Sequence, residues 1–461
     1  MSPLPPQYLS PLDNRYFRTV APIGEYLSEA ALNRARVAVE VEWLVYLTDR
    51  GIFGTEPLPA EQQAALRRVV EDFGQEAIDE LGTIEARTRH DVKAIEYYVR
   101  ARLGELGLSA IEELTHFGCT SEDINNTSYA ITIRDAVNGV WLPAATALAD
   151  AIAELATAQR DQPLLSLTHG QPATPTTLGK ELAVVAHRLR RVLRRIERQE
   201  YLGKWAGATG NFAAHVAVAP EFDWERAAEE FTARLGLAWN PLTTQIESHD
   251  WQAELYSDIA HFNRILHNFA TDVWLYISRG VFKQIPQPGA TGSSTMPHKI
   301  NPIRFENAES NLELSNALLD SLGQTLVTSR LQRDLTDSSS QRNVGVALGH
   351  SLLAIDNVAR GLRELDVNPE ALAAELDGNW EVLAEAIQTV IRAEIIAGRS
   401  KIEDPYAVLK ELTRGHSVGR EELVEFVDGL DIGEEAKARL RDLTPQAYTG
   451  RSSQLVSRLD A

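Results

Sequence analysis

The chain has 461 residues and a formal charge of −20, from 45 Lys+Arg against 65 Asp+Glu; that argues against a general nucleic-acid or membrane surface but leaves room for a small anion held by a few local arginines. Hydrophobic residues at 44% and charged residues at 24% are ordinary for a globular protein, and the length suggests roughly two to four domains or one elongated assembly. The single cysteine, Cys119, excludes an internal disulfide framework, no uncharged apolar run reaches the length of a membrane span, and MSPLPPQYLSPLDNRY lacks a signal-peptide pattern, so the expected compartment is the cytoplasm.

Residues 1–20 are proline-rich and irregular, and Asp13-Asn-Arg-Tyr16 reads as a turn with a solvated arginine. From Ala30 to about Asp49 the apolar spacing is helical (Val37, Val41, Leu44, Val45), and Gly51 ends the run. A second helix is predicted over roughly Ala60–Gly74. Thr88-Arg-His-Asp-Val-Lys93 opens an amphipathic helix carrying Ile95 and Val99, a capped helix start with charged residues. Thr120 followed by Asp123 is a capping-box pattern, and a helix N-terminus presents N–H groups that favour a carboxylate or phosphate.

Leu142 to Arg160 is predicted helical and leads into a loop, Leu165 to Pro175, punctuated by two prolines and carrying His169. Three long apolar stripes follow: Leu178, Leu182, Val185, Leu189, Val192 and Ile196; Leu255, Ile259, Phe262, Leu266, Phe269 and Val273; Phe305, Ala308, Leu312, Leu319, Leu322 and Leu326. Their sustained three-and-four spacing predicts long helices packed nearly antiparallel in a bundle. Helices of that length often need neighbouring subunits to cover them, so a homo-oligomer is expected. Gln245 lies between the first two stripes, in a segment that reads alone as a turn. After the third, Ser329 to Asn343 interleaves three arginines with hydroxyls, in the manner of a phosphate cradle or of a solvated linker. Beyond Leu352 the chain is again helical, with breaks at Gly378, Gly415 and Gly433. With no strand-rich block, repeat or low-complexity segment, the fold class is all-α.

The stretch Ala290-Thr-Gly-Ser-Ser-Thr-Met-Pro-His-Lys-Ile-Asn-Pro-Ile-Arg-Phe-Glu-Asn307 stands apart. Its glycine and serines are too small and flexible for core, and a loop of this kind feeding a helix can aim backbone N–H groups at negative charge beside Lys299. GSSTMPHKINP resembles the signature of the fumarase/aspartase superfamily, and its His298-Lys299 pair resembles the adenylosuccinate lyase branch in its longer bacterial form. The resemblance implies a three-domain fold with a central long-helix bundle: an N-terminal helical domain over 1–112, the bundle with the signature loop over 113–350, and a C-terminal helical domain over 351–461. It implies elimination of fumarate from adenylosuccinate and from the succinyl-carboxamide ribotide of purine synthesis, in a homotetramer whose sites are shared between subunits.

Residue by residue, the resemblance makes Ser293 the catalytic base, with Ser294 a close second and a substrate contact. His169, in Thr168-His-Gly-Gln-Pro-Ala173, becomes the acid. A serine is a base only if its alkoxide is stabilised, here by loop amides, the following helix and Lys299, whereas imidazole suits the acid role because it titrates near neutrality. Substrate contacts carried over are Arg15, Tyr16, Arg89, His90, Asp91, Thr120, Ser121, Gln245, Lys299, Ile300, Asn301, Asn307, Arg333, Ser338, Ser339, Ser340, Gln341 and Arg342, and His116 matches a family histidine near the site. Metal, Walker and dinucleotide-binding patterns are absent from the sequence, so neither metal nor cofactor is expected, and the partner is a small nucleotide rather than nucleic acid or membrane. Argininosuccinate lyase or fumarase is the alternative within the superfamily, and a non-catalytic structural protein on the same scaffold is the alternative outside enzymes.

Overall fold

The computed structural model describes residues 8–286, 296, 299–413 and 418–460. The first ten helices, in chain order, are α1 (Phe17–Leu27), α2 (Glu29–Asp49), α3 (Ala60–Glu71), α4 (Gln75–Thr88), α5 (Asp91–Glu105), α6 (Ser121–Ala136), α7 (Leu142–Ala158), α8 (Leu178–Ile196), α9 (Ala213–Val218) and α10 (Trp224–Arg234). They are followed by α11 (Asp250–Ser278), α12 (Ile303–Leu326), α13 (Thr336–Gln341), α14 (Val344–Arg363), α15 (Pro369–Asp377), α16 (Ala384–Ile396), α17 (Pro405–Thr413), α18 (Arg420–Gly429), α19 (Glu434–Arg441) and α20 (Ser452–Val456). Among the described residues strand is confined to three two-stranded pieces: β1 (Pro163–Thr168) with β2 (Gln171–Thr177), β3 (Leu202–Gly203) with β4 (Ala238–Trp239), and β5 (Phe282–Gln284) with β6 (Leu365–Val367). The all-α expectation therefore holds. One local reading changes, because the predicted loop from Leu165 to Pro175 is an antiparallel hairpin.

The described residues form two compact units. The first draws on the segments up to Ala145, Val192–Arg264 and Ser310–Asp356, and the second on Thr146–Arg191, the described part of Ile265–Glu309, and Asn357 onward. α7, α8, α11, α12 and α14 each contribute to both.

In the first unit α2 is the central element. Ser28 caps it by accepting the Ala31 N–H (3.2 Å), and Gly51, at φ 63°, ends it where a side chain would be strained. It is buried on all sides, so it shows no amphipathic stripe. Trp43 anchors its packing, with ring centroids 4.8 Å from Trp205 and 4.9 Å from Phe231, and its indole N–H donates to the Phe117 carbonyl (2.9 Å). Each such fully buried side chain contributes about 1.5–3 kcal/mol. Arg36 and Glu40 are buried within the same helix; their partners lie at and beside the candidate site.

The three predicted stripes are buried throughout, Val185 only partly. Within the first unit a chain of buried polar side chains fixes the register of the long helices: Trp141 donates to Ser351 (2.8 Å), Ser351 to Asn263 (2.7 Å), and Asn263 to Ser315 (3.0 Å). The run Ser121–Ala158 is also long and apolar enough to cross a bilayer by length and composition alone. Its first turn nevertheless buries Glu122, Asp123, Asn125 and Asn126, a polar load that hydrocarbon does not tolerate. The second unit has a core of its own around Leu165, Leu383, Ile387, Ile391, Leu423 and Val427.

Candidate active site

A cavity of ≈ 500 Å³ in the first unit is lined by Glu85, Arg89, His90, Asp91, Thr120, Ser121, Glu122, Asn125, Gln245, Arg333, Leu335, Ser338, Ser339 and Arg342. Ten of the residues named from sequence thus converge from four separate segments. Local backbone chemistry explains how they are presented. Arg89 closes α4 in the left-handed region (φ 55°), which turns the chain sharply so that His90 can cap α5. The His90 Nδ1 accepts the Lys93 N–H (3.2 Å), so a neutral ring carries its hydrogen on Nε2. Asp123 reaches back to accept the Thr120 N–H (2.7 Å), the reciprocal half of the predicted capping box, and Thr120 and Ser121 at the start of α6 line the cavity. Gln245 is oriented by donating to the Ala208 carbonyl (3.0 Å).

Two of the arginines of this cavity, Arg333 and Arg342, are already engaged. Arg333 pairs with Glu122, stands 3.7 Å from Asp337 and donates its Nε to the Asp334 carbonyl (3.2 Å). Arg342 pairs with Glu29 and lies 3.3 Å from Asp91. Asp91 is in turn held by the fully buried Arg36 (2.9 Å), whose guanidinium also donates to Asn125 (2.8 Å) and Asn33 (2.9 Å). Burial pushes the Asp91 carboxyl up, but Arg36, the Val92 N–H and Arg342 outweigh it and hold the group below the ordinary carboxylate range. Burial likewise opposes ionisation of Asp337, which His249 and Arg333 more than offset. The larger cleft of ≈ 820 Å³ between Arg195–Leu202 and Asp250–Asp258 contains none of the predicted residues.

The approach to Thr120 is pinned from below. The buried Glu40 carboxylate accepts both the His116 N–H (2.9 Å) and its Nδ1 (2.6 Å), holding His116 at φ 58°. Burial lowers the tendency of His116 to ionise, and the Glu40 pairing overrides it, raising the imidazole above its ordinary value. Gly118, at φ 72°, leaves room for the His215 ring; a Cβ there would lie 2.4 Å from its Nε2. Asp123 is tied by the buried Lys204 (2.6 Å) and by the Ala206 N–H (2.9 Å).

Other predicted residues sit elsewhere. In the first unit, Arg15 lies over the Tyr16 ring (5.7 Å), Ser340 donates to the Thr336 carbonyl (2.9 Å), and buried Gln341 approaches His249 (3.4 Å); none of these lines the cavity. In the second unit, His169 and Gly170 form the two-residue tip of the β1–β2 hairpin, with Thr168 paired to Gln171. Both have positive φ (55° and 74°), as a type I′ turn requires. Lys299 is exposed with its N–H on the Met296 carbonyl (3.0 Å), and the Ile300 carbonyl accepts from Gln284 (2.6 Å). The Asn301 carbonyl accepts the Ile303 N–H (2.9 Å), and Asn307 accepts from Asn357 (2.9 Å). Ser293, Ser294 and His298 lie outside the described residues.

Residues 15–313 match the family model described as Lyase, and residues 329–449 match the model described as Adenylosuccinate lyase C-terminal. Curated adenylosuccinate lyases from Escherichia coli (strain K12) and Haemophilus influenzae are 49% and 47% identical to the chain over 98% of both sequences. The chain belongs to the adenylosuccinate lyase family. Its fold is also similar to crystal structures of a 3-carboxy-cis,cis-muconate lactonizing enzyme from Pseudomonas putida (TM-score 0.75, 21% identity, 98% of each chain) and of a fumarate lyase from Mesorhizobium sp. BNC1 (TM-score 0.75, 19% identity, 98% and 99%).

For this adenylosuccinate lyase family member, sequence reading misses the residues that hold the cavity in shape: Arg36, Glu40, Glu122 and Asn125. Arg36 and Glu40 stand four apart in one helix, the spacing of an ordinary surface ion pair. The fold separates them, sending Arg36 to Asp91 and Glu40 to His116. Only the apolar residues interleaved with them in α2, Val37, Val39, Val41, Trp43 and Leu44, hint that these charges are buried.

Proposed function

We propose that the chain eliminates fumarate from adenylosuccinate, giving AMP, and from the succinyl-carboxamide ribotide, giving the carboxamide ribotide. The observation that carries this reading is the cavity at the start of α6, where three arginines and the Ser338–Ser339 hydroxyls stand beside the Thr120–Ser121 helix N-terminus. Guanidinium forks and hydroxyls suit a nucleotide phosphate, and helix N–H groups suit a carboxylate. In the proposed reaction Ser293 removes a proton from the carbon next to a succinyl carboxylate. The C–N bond breaks as the new double bond forms, and His169 protonates the departing nitrogen. Lys299 and the loop amides would stabilise the extra carboxylate charge.

A homotetramer with shared sites is part of the same proposal, as are the three-domain division and a cytoplasmic location. Exposed Ile303 and Leu314 on α12 support a partner copy, since apolar side chains on long helices are better covered than solvated. Ser293→Ala and His169→Ala should each lower kcat about 10²–10⁴-fold with the far-UV spectrum and AMP binding retained, fumarate release being assayed with adenylosuccinate and with argininosuccinate. Loss of AMP binding and folding together with activity, or preferential turnover of argininosuccinate, sinks the proposal.

A further inference from the structure

Four carboxylates contact Arg333 and Arg342, two of the three arginines that line the cavity, and they are not equivalent. Glu122, which pairs with Arg333, is buried and also accepts from the amides of Asn125 (2.9 Å) and Asn126 (2.7 Å). Asp337, beside the same arginine, accepts the Ser338 N–H (2.7 Å) and lies 3.4 Å from the His249 ring. Asp91, beside Arg342, is compensated by Arg36 and the Val92 N–H. Each of these three would keep hydrogen-bond donors if its arginine turned to a ligand. Glu29 is different: its side chain is 54% exposed, and Arg342 is its one recorded partner among the described residues.

Glu29 is also easily released. It occupies the first turn of α2, where the helix N-terminus favours a negative charge whether or not Arg342 is near. The pair it makes is half in solvent, and exposed pairs contribute little, whereas a phosphate can engage the guanidinium through two parallel bonds and a larger charge. Arg342 lines both the ≈ 500 Å³ cavity and the ≈ 370 Å³ pocket that contains Glu29, its Nη1 meeting Glu29 and its Nη2 lying 3.3 Å from Asp91 on the cavity.

We infer that Glu29 is an exchangeable counter-anion: it occupies Arg342 in the free protein and yields that position to the ligand phosphate, and so sets how strongly the site discriminates a phosphorylated nucleoside from a bare one. This rests on the reading of Arg342 as a phosphate contact. Glu29 is a positioning residue, acting through Arg342 and not through contact with the reacting atoms.

The test is calorimetric binding of AMP and of adenosine to the full-length wild type, Glu29→Gln and Arg342→Gln, with Glu29→Ala as a second variant at the same position. Removal of the competing carboxylate should tighten AMP binding about 2- to 5-fold, the range an exposed ion pair sustains, and leave adenosine binding unchanged. Unchanged or weaker AMP binding in both Glu29 variants, while Arg342→Gln still weakens it, overturns the exchange and leaves the phosphate reading standing. Arg342→Gln that binds AMP as wild type does overturns both.

Discussion

The cavity of the first unit and the hairpin of the second present polar groups in opposite ways. Around the cavity three half-buried residues are each backed by a buried charge: the Asp91 carboxylate by Arg36, the His116 ring by Glu40, and the Thr120 N–H by Asp123. At the hairpin tip His169 is exposed and makes no recorded side-chain hydrogen bond among the described residues; its position comes from turn geometry alone. A site that binds a polyanion must hold like charges close together, which requires fixed counter-charges. A proton donor has only to be delivered, and a tight turn suffices. The difference predicts that disturbance of the cavity costs stability as well as function, while disturbance of the hairpin tip costs function alone.

The largest effect on stability should follow Asp91→Asn. It leaves the Arg36 guanidinium, 1% exposed, without an anionic partner, a loss of about 3–5 kcal/mol in denaturant unfolding. Because the Asp91 carboxyl is depressed in the folded state, the stability it supplies is present above the unfolded value, near 4, and is lost as pH falls through the lowered folded value. The low-pH limb of the unfolding profile should therefore flatten in the variant. An unchanged midpoint would show that the buried network does not support the cavity.

Glu40→Gln probes the same idea with the opposite sign of pH. The His116 imidazole is raised in the folded state, so its pairing with Glu40 contributes fully below about pH 6.5 and fades as pH rises through the raised value. The wild type should exceed the variant by about 2 kcal/mol at low pH, the scale of a charged hydrogen bond, and the gap should narrow at alkaline pH. A gap constant across that range would mean that Glu40 acts by packing.

These two tests also mark what was legible in the sequence. The Thr120–Asp123 cap spans three residues and the α2 boundary is set by Gly51, so both follow from local chemistry and both are found. Arg36 meets Asp91 55 positions away and Glu40 meets His116 76 positions away; no periodicity records such pairings, which exist only once the helices pack. The hairpin escaped for another reason. Its turn is His169-Gly170 where Asn-Gly or Asp-Gly would announce a two-residue loop, and Pro172 and Pro175 read as loop punctuation although they lie within β2.

That substitution at the turn carries the smallest and most discriminating prediction. Histidine at φ 55° is strained relative to asparagine, which tolerates the left-handed region and is favoured before glycine in a type I′ turn. His169→Asn should therefore raise unfolding stability by up to about 0.5 kcal/mol, the range of an exposed substitution, while fumarate release falls as far as it does in His169→Ala. A gain in stability paired with loss of turnover would mean that the hairpin keeps a less favourable turn residue for the sake of the imidazole. A loss of stability instead would assign His169 a packing role, and the contrast between a supported cavity and an unsupported tip would fail.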